Sequence, residues 1–288
     1  MNGPAVMFVP GGNPRALAKA ATLDADALIY DLEDSVAPAA KGAAREALRE
    51  ALDPARGTSR PRVPFAVRVN ALGTQHFDED LLAARALSPD AIVLPKVESP
   101  DDLTAVETAL AEMDAPDALG LWAMIETPRG LLDVANIAAH GGRLRAFIVG
   151  PNDLAASVGV ALADIRTRHH AWLFGVVLAA RAHGLVALDG VMNGWDDALA
   201  VEAEARDGAA LGFDGKTLIH PAQIAPTRAG FAPTEEALDE ARAVVAAFDT
   251  VPDTVGVVTL KGRMVERLHL AAAQRVLARR GENEEKGR

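Results

Sequence analysis

The chain has 288 residues, 50% hydrophobic and 24% charged, which is ample for one large buried core. A formal net charge of -11 and an aromatic content of 4% exclude a general nucleic-acid binder, because phosphate backbones are repelled and stacking platforms are scarce. The absence of cysteine excludes disulfides, thiolate metal sites and cysteine nucleophiles.

The first residues, MNGPAVMFVPGG, lack the basic stretch and long apolar run of a secretory leader. No segment is apolar for long enough to span a bilayer, so a cytoplasmic protein with no membrane partner is expected. Runs of β type then follow in order: AVMFVPG from Ala5, ALIYDLED from Ala27, FAVRVN from Phe65 and AIVLPKVE from Ala91. LWAMIET from Leu121, AFIVGPND from Ala146, LVALDGV from Leu185 and GKTLIHP from Gly215 complete the set. Between them, PRALAKAATL, DDLTAVETALAEM and DDALAVEAEARDGAAL repeat apolar residues every three or four positions, as on a helix face. The β runs are continuous rather than alternating, the pattern of a sheet covered on both faces. Eight such repeats predict an α/β fold, a (β/α)8 TIM barrel; an open doubly wound sheet is the alternative.

After Pro221 the pattern changes. TEEALDEARAVVAAFD from Thr234 reads as a helix with an acidic first turn, DTVGVVTLKGRM as a hairpin around Lys261-Gly262, and VERLHLAAAQRVLARR as an amphipathic helix. The reading is a catalytic barrel over 1–228 and a helical and hairpin extension over 229–288 that packs on the barrel or reaches a neighbouring subunit. The last residues, GENEEKGR, read as frayed.

Barrel sites form where strands run into their following loops. Those positions hold Asp31, Glu33 and Asp34; Arg68 and Asn70; Lys96 and Glu98; Glu126; Asp153; Asp189; and Lys216 with His220. Each has a plain alternative. Asp153 either caps the helix LAASVG or serves a site. Glu126, as a bare Glu at a strand end, reads as solvated more readily than as functional. Arg68, inside a buried strand, needs an anionic partner, which a structural Asp would satisfy. The acids of YDLED repel one another and invite a cation, or else form a solvated loop. Several acids with no cysteine and no spaced histidine pair suit a hard, oxygen-liking ion, Mg2+ held by one or two carboxylates plus substrate. His169 and His170 point apart on a helix and read as surface or structural. Gly215-Lys216-Thr217 lacks the glycine five residues earlier that a phosphate loop requires, since position 210 is alanine, and a strand rather than a helix follows.

The order of motifs resembles the citrate lyase β-subunit-like CoA-ester lyases of the HpcH/HpaI aldolase/citrate lyase family. The matching pieces are FVPGGNPRALAKA, ALIYDLEDSVAPAAKGAAR, VRVNALGTQHFDEDL, VLPKVES, MIETPRGLLDVANIA, GPNDLAASVG and ALGFDGKTLIHPAQI. The resemblance implies a barrel assembled as a homotrimer or homohexamer, with Glu126 and Asp153 as Mg2+ ligands, Glu126 also touching substrate, and Arg68 as the substrate arginine. It implies a Mg2+-dependent lyase for a 3-hydroxy-carboxyacyl-CoA ester such as malyl-, citramalyl- or citryl-CoA, with acetyl-CoA as product or co-substrate. Glu33, Asp34 and Glu266 are the acid/base candidates, and Arg15 and Lys19 the candidates for the CoA phosphates. Two departures stand out: Asn152 where relatives often carry Glu before the second metal ligand, and Glu266 in KGRMVER where relatives often carry Asp. An aldolase for free 2-keto acids, a malyl-CoA thioesterase and a subunit of a multi-protein citrate lyase are the competing activities.

Overall fold

The eight apolar runs become eight parallel strands in a computed structural model that describes residues 3–53, 60–161, 166 and 170–279. They are β1 (Ala5–Pro10), β2 (Ala27–Asp31), β3 (Phe65–Arg68), β4 (Ala91–Leu94), β5 (Gly120–Ile125), β6 (Leu144–Val149), β7 (Val186–Asp189) and β8 (Gly215–Leu218). Each pairs with its neighbour in sequence, and β1 pairs with β8, closing a (β/α)8 barrel. The open doubly wound alternative is thereby excluded.

The barrel wall is apolar on both sides, which is why the runs do not alternate. Val6, Phe8, Ile29, Val93, Met124 and Ile148 fill the interior, while Met7, Leu28, Val67 and Phe147 face the surrounding helices. The two-residue alternation also decides where strand-end polar groups go. Inward-facing Ala27 and Ile29 are followed by Asp31, Ala66 by Arg68, and Trp122 and Met124 by Glu126, so these three enter the barrel mouth. Asp31 and Arg68 are register partners on β2 and β3.

The same alternation corrects the expectation that Asp189 and Lys216 join them. Leu188 faces inward, so Asp189 faces the helices, as does its register partner Lys216. Both are 0% exposed. The Lys216 ammonium lies 3.2 Å from Asp189 and 2.7 Å from Glu204 on the helix Ala198–Leu211. Arg166 reaches Asp189 at 2.7 Å and Asp207 at 3.1 Å. Burial is tolerated because the charges are mutually compensated.

The remaining strand-end residues also find structural roles. His220 accepts a hydrogen bond from the Ala222 N–H, caps the short turn Pro221–Gln223, and stacks 4.2 Å from Trp195. Glu98 sits 3.7 Å from Arg129. Asn70 donates to the Leu32 carbonyl and, with its own N–H, ties Asp80 to the loop after β2.

The chain divides into two units, Met1–Phe231 and Ala232–Arg288. The second contains the helix Glu235–Asp249, the antiparallel hairpin β9 (Val257–Leu260) and β10 (Arg263–Glu266), and the helix Arg267–Arg279. Its core is formed by Leu238, Val244, Phe248, Val265 and Leu277. His169 and GENEEKGR lie outside the described residues, and His170 is exposed. No helix among the described residues is long and apolar enough to cross a membrane.

Removing one charge from the network behind β7 leaves its partners buried and uncompensated. Asp189→Asn is expected to lower the stability of the chain by about 3–5 kcal/mol in chemical denaturation. A loss below about 1 kcal/mol would mean that Lys216 and Arg166 do not depend on it.

Candidate active site

A cavity of about 380 Å³ opens at the C-terminal end of the strands. Asp34, Arg68, Glu126 and Asp153 line it, together with Asn152 and Asn193. Four of the residues singled out in the sequence therefore converge. Glu33 lies behind them, buried between Arg68 and Lys96. Arg15 and Lys19 are exposed on the helix Pro14–Ala20 that follows β1. Glu266 ends β10 in the second unit, where its N–H donates to His269 Nδ1.

Arg68 is held rigidly. Its Nε and Nη2 donate to the two Asp31 oxygens at 2.6 and 2.8 Å, a bidentate pair between adjacent strands. Despite burial, the Arg68 charge and its hydrogen bonds, and then the N–H groups of Ser35 and Glu33, hold the Asp31 carboxylate below the usual carboxylate range. The third guanidinium nitrogen, Nη1, lies 2.8 Å from Glu33 and 3.5 Å from Asp34. The Phe8 ring covers the guanidinium at 5.0 Å. The anionic partner that a strand arginine requires is thus Asp31, and that pairing orients Arg68 toward the cavity rather than removing it.

The loop after β2 is not a solvated one. Asp31 and Glu33 are buried, and only Asp34 of the three acids is exposed. Buried Lys41 donates to the carbonyls of Leu32 and Glu33 at 2.8 and 2.7 Å, pinning the loop from behind.

Glu126 is not solvated either; it is 1% exposed. Its Oε1 accepts the Lys96 N–H at 2.8 Å. Burial, then the charges of Glu33 and Asp153, push its carboxyl up to about 8. Gly150, at the end of β6, makes room for it: a Cβ there would stand 2.2 Å from Glu126 Oε2.

Asp153 sits in the first turn of the helix Pro151–Val158. The N-cap is Gly150 and no side chain caps this helix, so the capping alternative for Asp153 fails. Its carboxylate instead lies 3.6 Å from the Lys96 ammonium.

Two buried or half-buried carboxylates from separate loops, one of them raised by burial and then by like-charge repulsion, form an oxygen-donor set suited to a hard divalent cation. Among the described residues no group of three or more His, Cys, Asp or Glu is arranged to hold a metal ion by itself. A cation here would complete its shell with water or substrate, as Mg2+ commonly does.

Asp31, Lys96 and Asn193 had no assigned site role in the sequence. Asp31 and Lys96 were visible as strand-end charges, but the continuous apolar run does not mark which side of Asp31 faces inward, and Lys96 has the outward parity of Ile92 and Leu94 and meets the mouth only through the turn after β4. Asn193 follows β7 in an unpatterned loop, and its amide pairs with that of Asn152 at 3.3 Å, which no sequence spacing announces.

The HpcH/HpaI aldolase/citrate lyase model matches residues 4–221, which include all eight barrel strands. The chain belongs to this family. Among its relatives is a (3S)-malyl-CoA thioesterase of Cereibacter sphaeroides, 42% identical over 95% of this chain and 93% of the relative. The L-malyl-CoA/beta-methylmalyl-CoA lyase of the same species is 33% identical over 96% of this chain and 93% of the relative. Among solved structures, that of protein CitE from Mycobacterium tuberculosis in complex with magnesium, acetoacetate and coenzyme A has a TM-score of 0.81. It is 36% identical and covers 97% of this chain and 98% of its own. The family is one of lyases and aldolases, and these relatives act on or hold CoA compounds.

Glu126 makes the cation-free protein sensitive to pH. Its carboxyl titrates near 4.5 when unfolded and at about 8 when folded, so the folded state keeps a proton the unfolded chain releases. Stability is full below this window and falls as pH rises through it, by up to about 1.4 kcal/mol per unit. Glu33, raised by its own burial, adds to the same slope. Denaturation of chelator-treated protein across the window should show that decline, and Glu126→Gln should flatten it. An equal slope in the variant would place Glu126 in water.

Proposed function

We propose that the barrel is a cytoplasmic lyase that cleaves, or forms, the bond between the hydroxyl-bearing carbon and the α-carbon of a 3-hydroxy-carboxyacyl-CoA ester. Malyl-, citramalyl- and citryl-CoA are the substrate types. The observation that carries this reading is the rigid Arg68 facing the Glu126 and Asp153 carboxylates across one cavity. The 0.81 TM-score to the structure of CitE in complex with magnesium, acetoacetate and coenzyme A supports it.

Glu126 and Asp153 would hold Mg2+, which when bound supplies Lewis-acid polarisation of substrate oxygens. The chain's own groups do the rest. In cleavage the hydroxyl proton leaves, the hydroxyl carbon becomes a carbonyl, and the bonding pair moves onto the α-carbon and the thioester oxygen. Arg68, pinned by Asp31, directs its remaining N–H toward that oxygen as charge gathers there. Such a fixed donor costs no reorganisation during the reaction. The enolate then takes a proton on carbon to give acetyl-CoA. Asp34, on the cavity wall, is better disposed to carry that proton than Glu33, which is locked between Arg68 and Lys96. Glu266 of a neighbouring copy in a homotrimer or homohexamer is the second candidate. Arg15 and Lys19, exposed just after β1, meet the CoA phosphates.

The 42% identity to a protein named as a malyl-CoA thioesterase favours a second reading, hydrolysis. Water would then add to the thioester carbonyl, Arg68 would receive the charge on its oxygen, and the CoA thiolate would leave.

A panel of CoA thioesters with Mg2+, with products identified by mass, separates the two. Malyl-CoA giving acetyl-CoA and glyoxylate means lyase; malate and free CoA mean thioesterase. No turnover of any hydroxyacyl-CoA would sink both. Arg68→Lys should lower turnover by about 10²–10³ because it loses the bidentate fork; near-normal rates would remove Arg68 from the chemistry.

A further inference from the structure

Lys96 touches three of the buried or half-buried acids of the mouth, Glu33, Glu126 and Asp153. It follows β4 and Pro95 with φ +54°, a left-handed conformation uncommon for a residue with a side chain. Strained backbone of this kind persists where the surroundings enforce it, often at functional sites. Here it lets one residue face the cavity with both ends. The Lys96 N–H donates to Glu126 Oε1 at 2.8 Å. Its Nζ lies 2.6 Å from Glu33 Oε1 and 3.6 Å from Asp153 Oδ1.

The charge balance gives this contact meaning. Arg68 is neutralised by the bidentate Asp31. Glu33 lies between Arg68 and Lys96, and the Lys96 ammonium faces Asp153 as well, while its N–H holds Glu126. The ammonium holds Glu33 Oε1, while Glu33 Oε2 makes no hydrogen bond among the described residues and lies 2.8 Å from Arg68 Nη1. Without the Lys96 tie Arg68 alone would hold Glu33, and the freed Oε1 could turn toward a cation held by the other two carboxylates.

We propose that Lys96 is a positioning residue that limits the mouth to two carboxylate ligands: its N–H fixes Glu126, and its ammonium withholds Glu33 and partly neutralises Asp153. A two-carboxylate site that leaves positions for water and substrate suits Mg2+, whereas an added carboxylate suits Ca2+, which takes more oxygen ligands. Lys96 thereby lowers cation affinity overall and biases the site against Ca2+. This inference rests on the proposed cation site at Glu126 and Asp153.

Its test is direct binding of Mg2+ and of Ca2+ by calorimetry, at a pH above the Glu126 value, on wild type, Lys96→Gly, Lys96→Met and Lys96→Arg. Lys96→Gly keeps the N–H and relieves the left-handed backbone, so it preserves the fold while removing the ammonium. Lys96→Met keeps the stem without the charge. Both should bind Ca2+ about tenfold more tightly or better, with a smaller gain for Mg2+, and Lys96→Arg should stay near wild type. Unchanged or weaker Ca2+ binding in Lys96→Gly, with the wild type binding Mg2+, overturns the role of Lys96 alone. A wild type that binds neither ion overturns this role and the cation site together.

Discussion

The mouth of this barrel forces carboxylates into a space where they repel one another. Glu126 is almost fully buried, and Glu33 and Asp153 are close enough to raise its carboxyl to about 8. Such an arrangement is unfavourable on its own and becomes favourable when positive charge enters it. Arg68 and Lys96 supply part of that charge, and in the proposed reaction a divalent cation supplies the rest. The proposed cation binding and enolate stabilisation and the expected pH sensitivity of the cation-free chain are consequences of that one imbalance.

The scaffold's work is to keep the groups from relaxing away from each other. Parity sends Asp31 and Arg68 into the mouth from adjacent strands, and their bidentate bond fixes the guanidinium. Lys41 and Asn70 tie down the loop that carries Glu33. Gly150 leaves the volume that the Glu126 carboxylate fills, and the turn at Lys96 gives Glu126 a backbone donor. None of these neighbours touches substrate in the proposed reaction. Each narrows the positions open to a group that does.

Much of the fold was legible because a parallel barrel writes a simple pattern: continuous apolar runs, each followed by a helical segment. The hairpin around Lys261-Gly262 was equally plain. The site was legible in part. Arg68, Glu126 and Asp153 stood at strand ends, each with a plain structural alternative, and only the family resemblance singled them out; the structure brings the three to one cavity. Asp189 and Lys216 stood there too, yet they face the helices. In a strand buried on both sides the hydrophobic pattern does not reveal which residues point inward, so a shift of one position reverses the assignment. The role of Asp31 was hidden for the same reason. That of Lys96 depends on a backbone conformation no residue type signals, and Asn193 on a loop contact.

The family likeness extends over the whole barrel, while the relatives divide between lyase and thioesterase, so the distinction between the activities lies in details of the mouth rather than in its framework. Asn152 and Asn193, paired at the rim, and the tail carrying Glu266 are where this chain can differ. The central claim is the cation between the two loops. Crystals grown with Mn2+ and measured for anomalous scattering would locate it: a single peak coordinated by both Glu126 and Asp153, on the side of the cavity facing Arg68, is the predicted result. A peak that touches neither carboxylate would contradict the account.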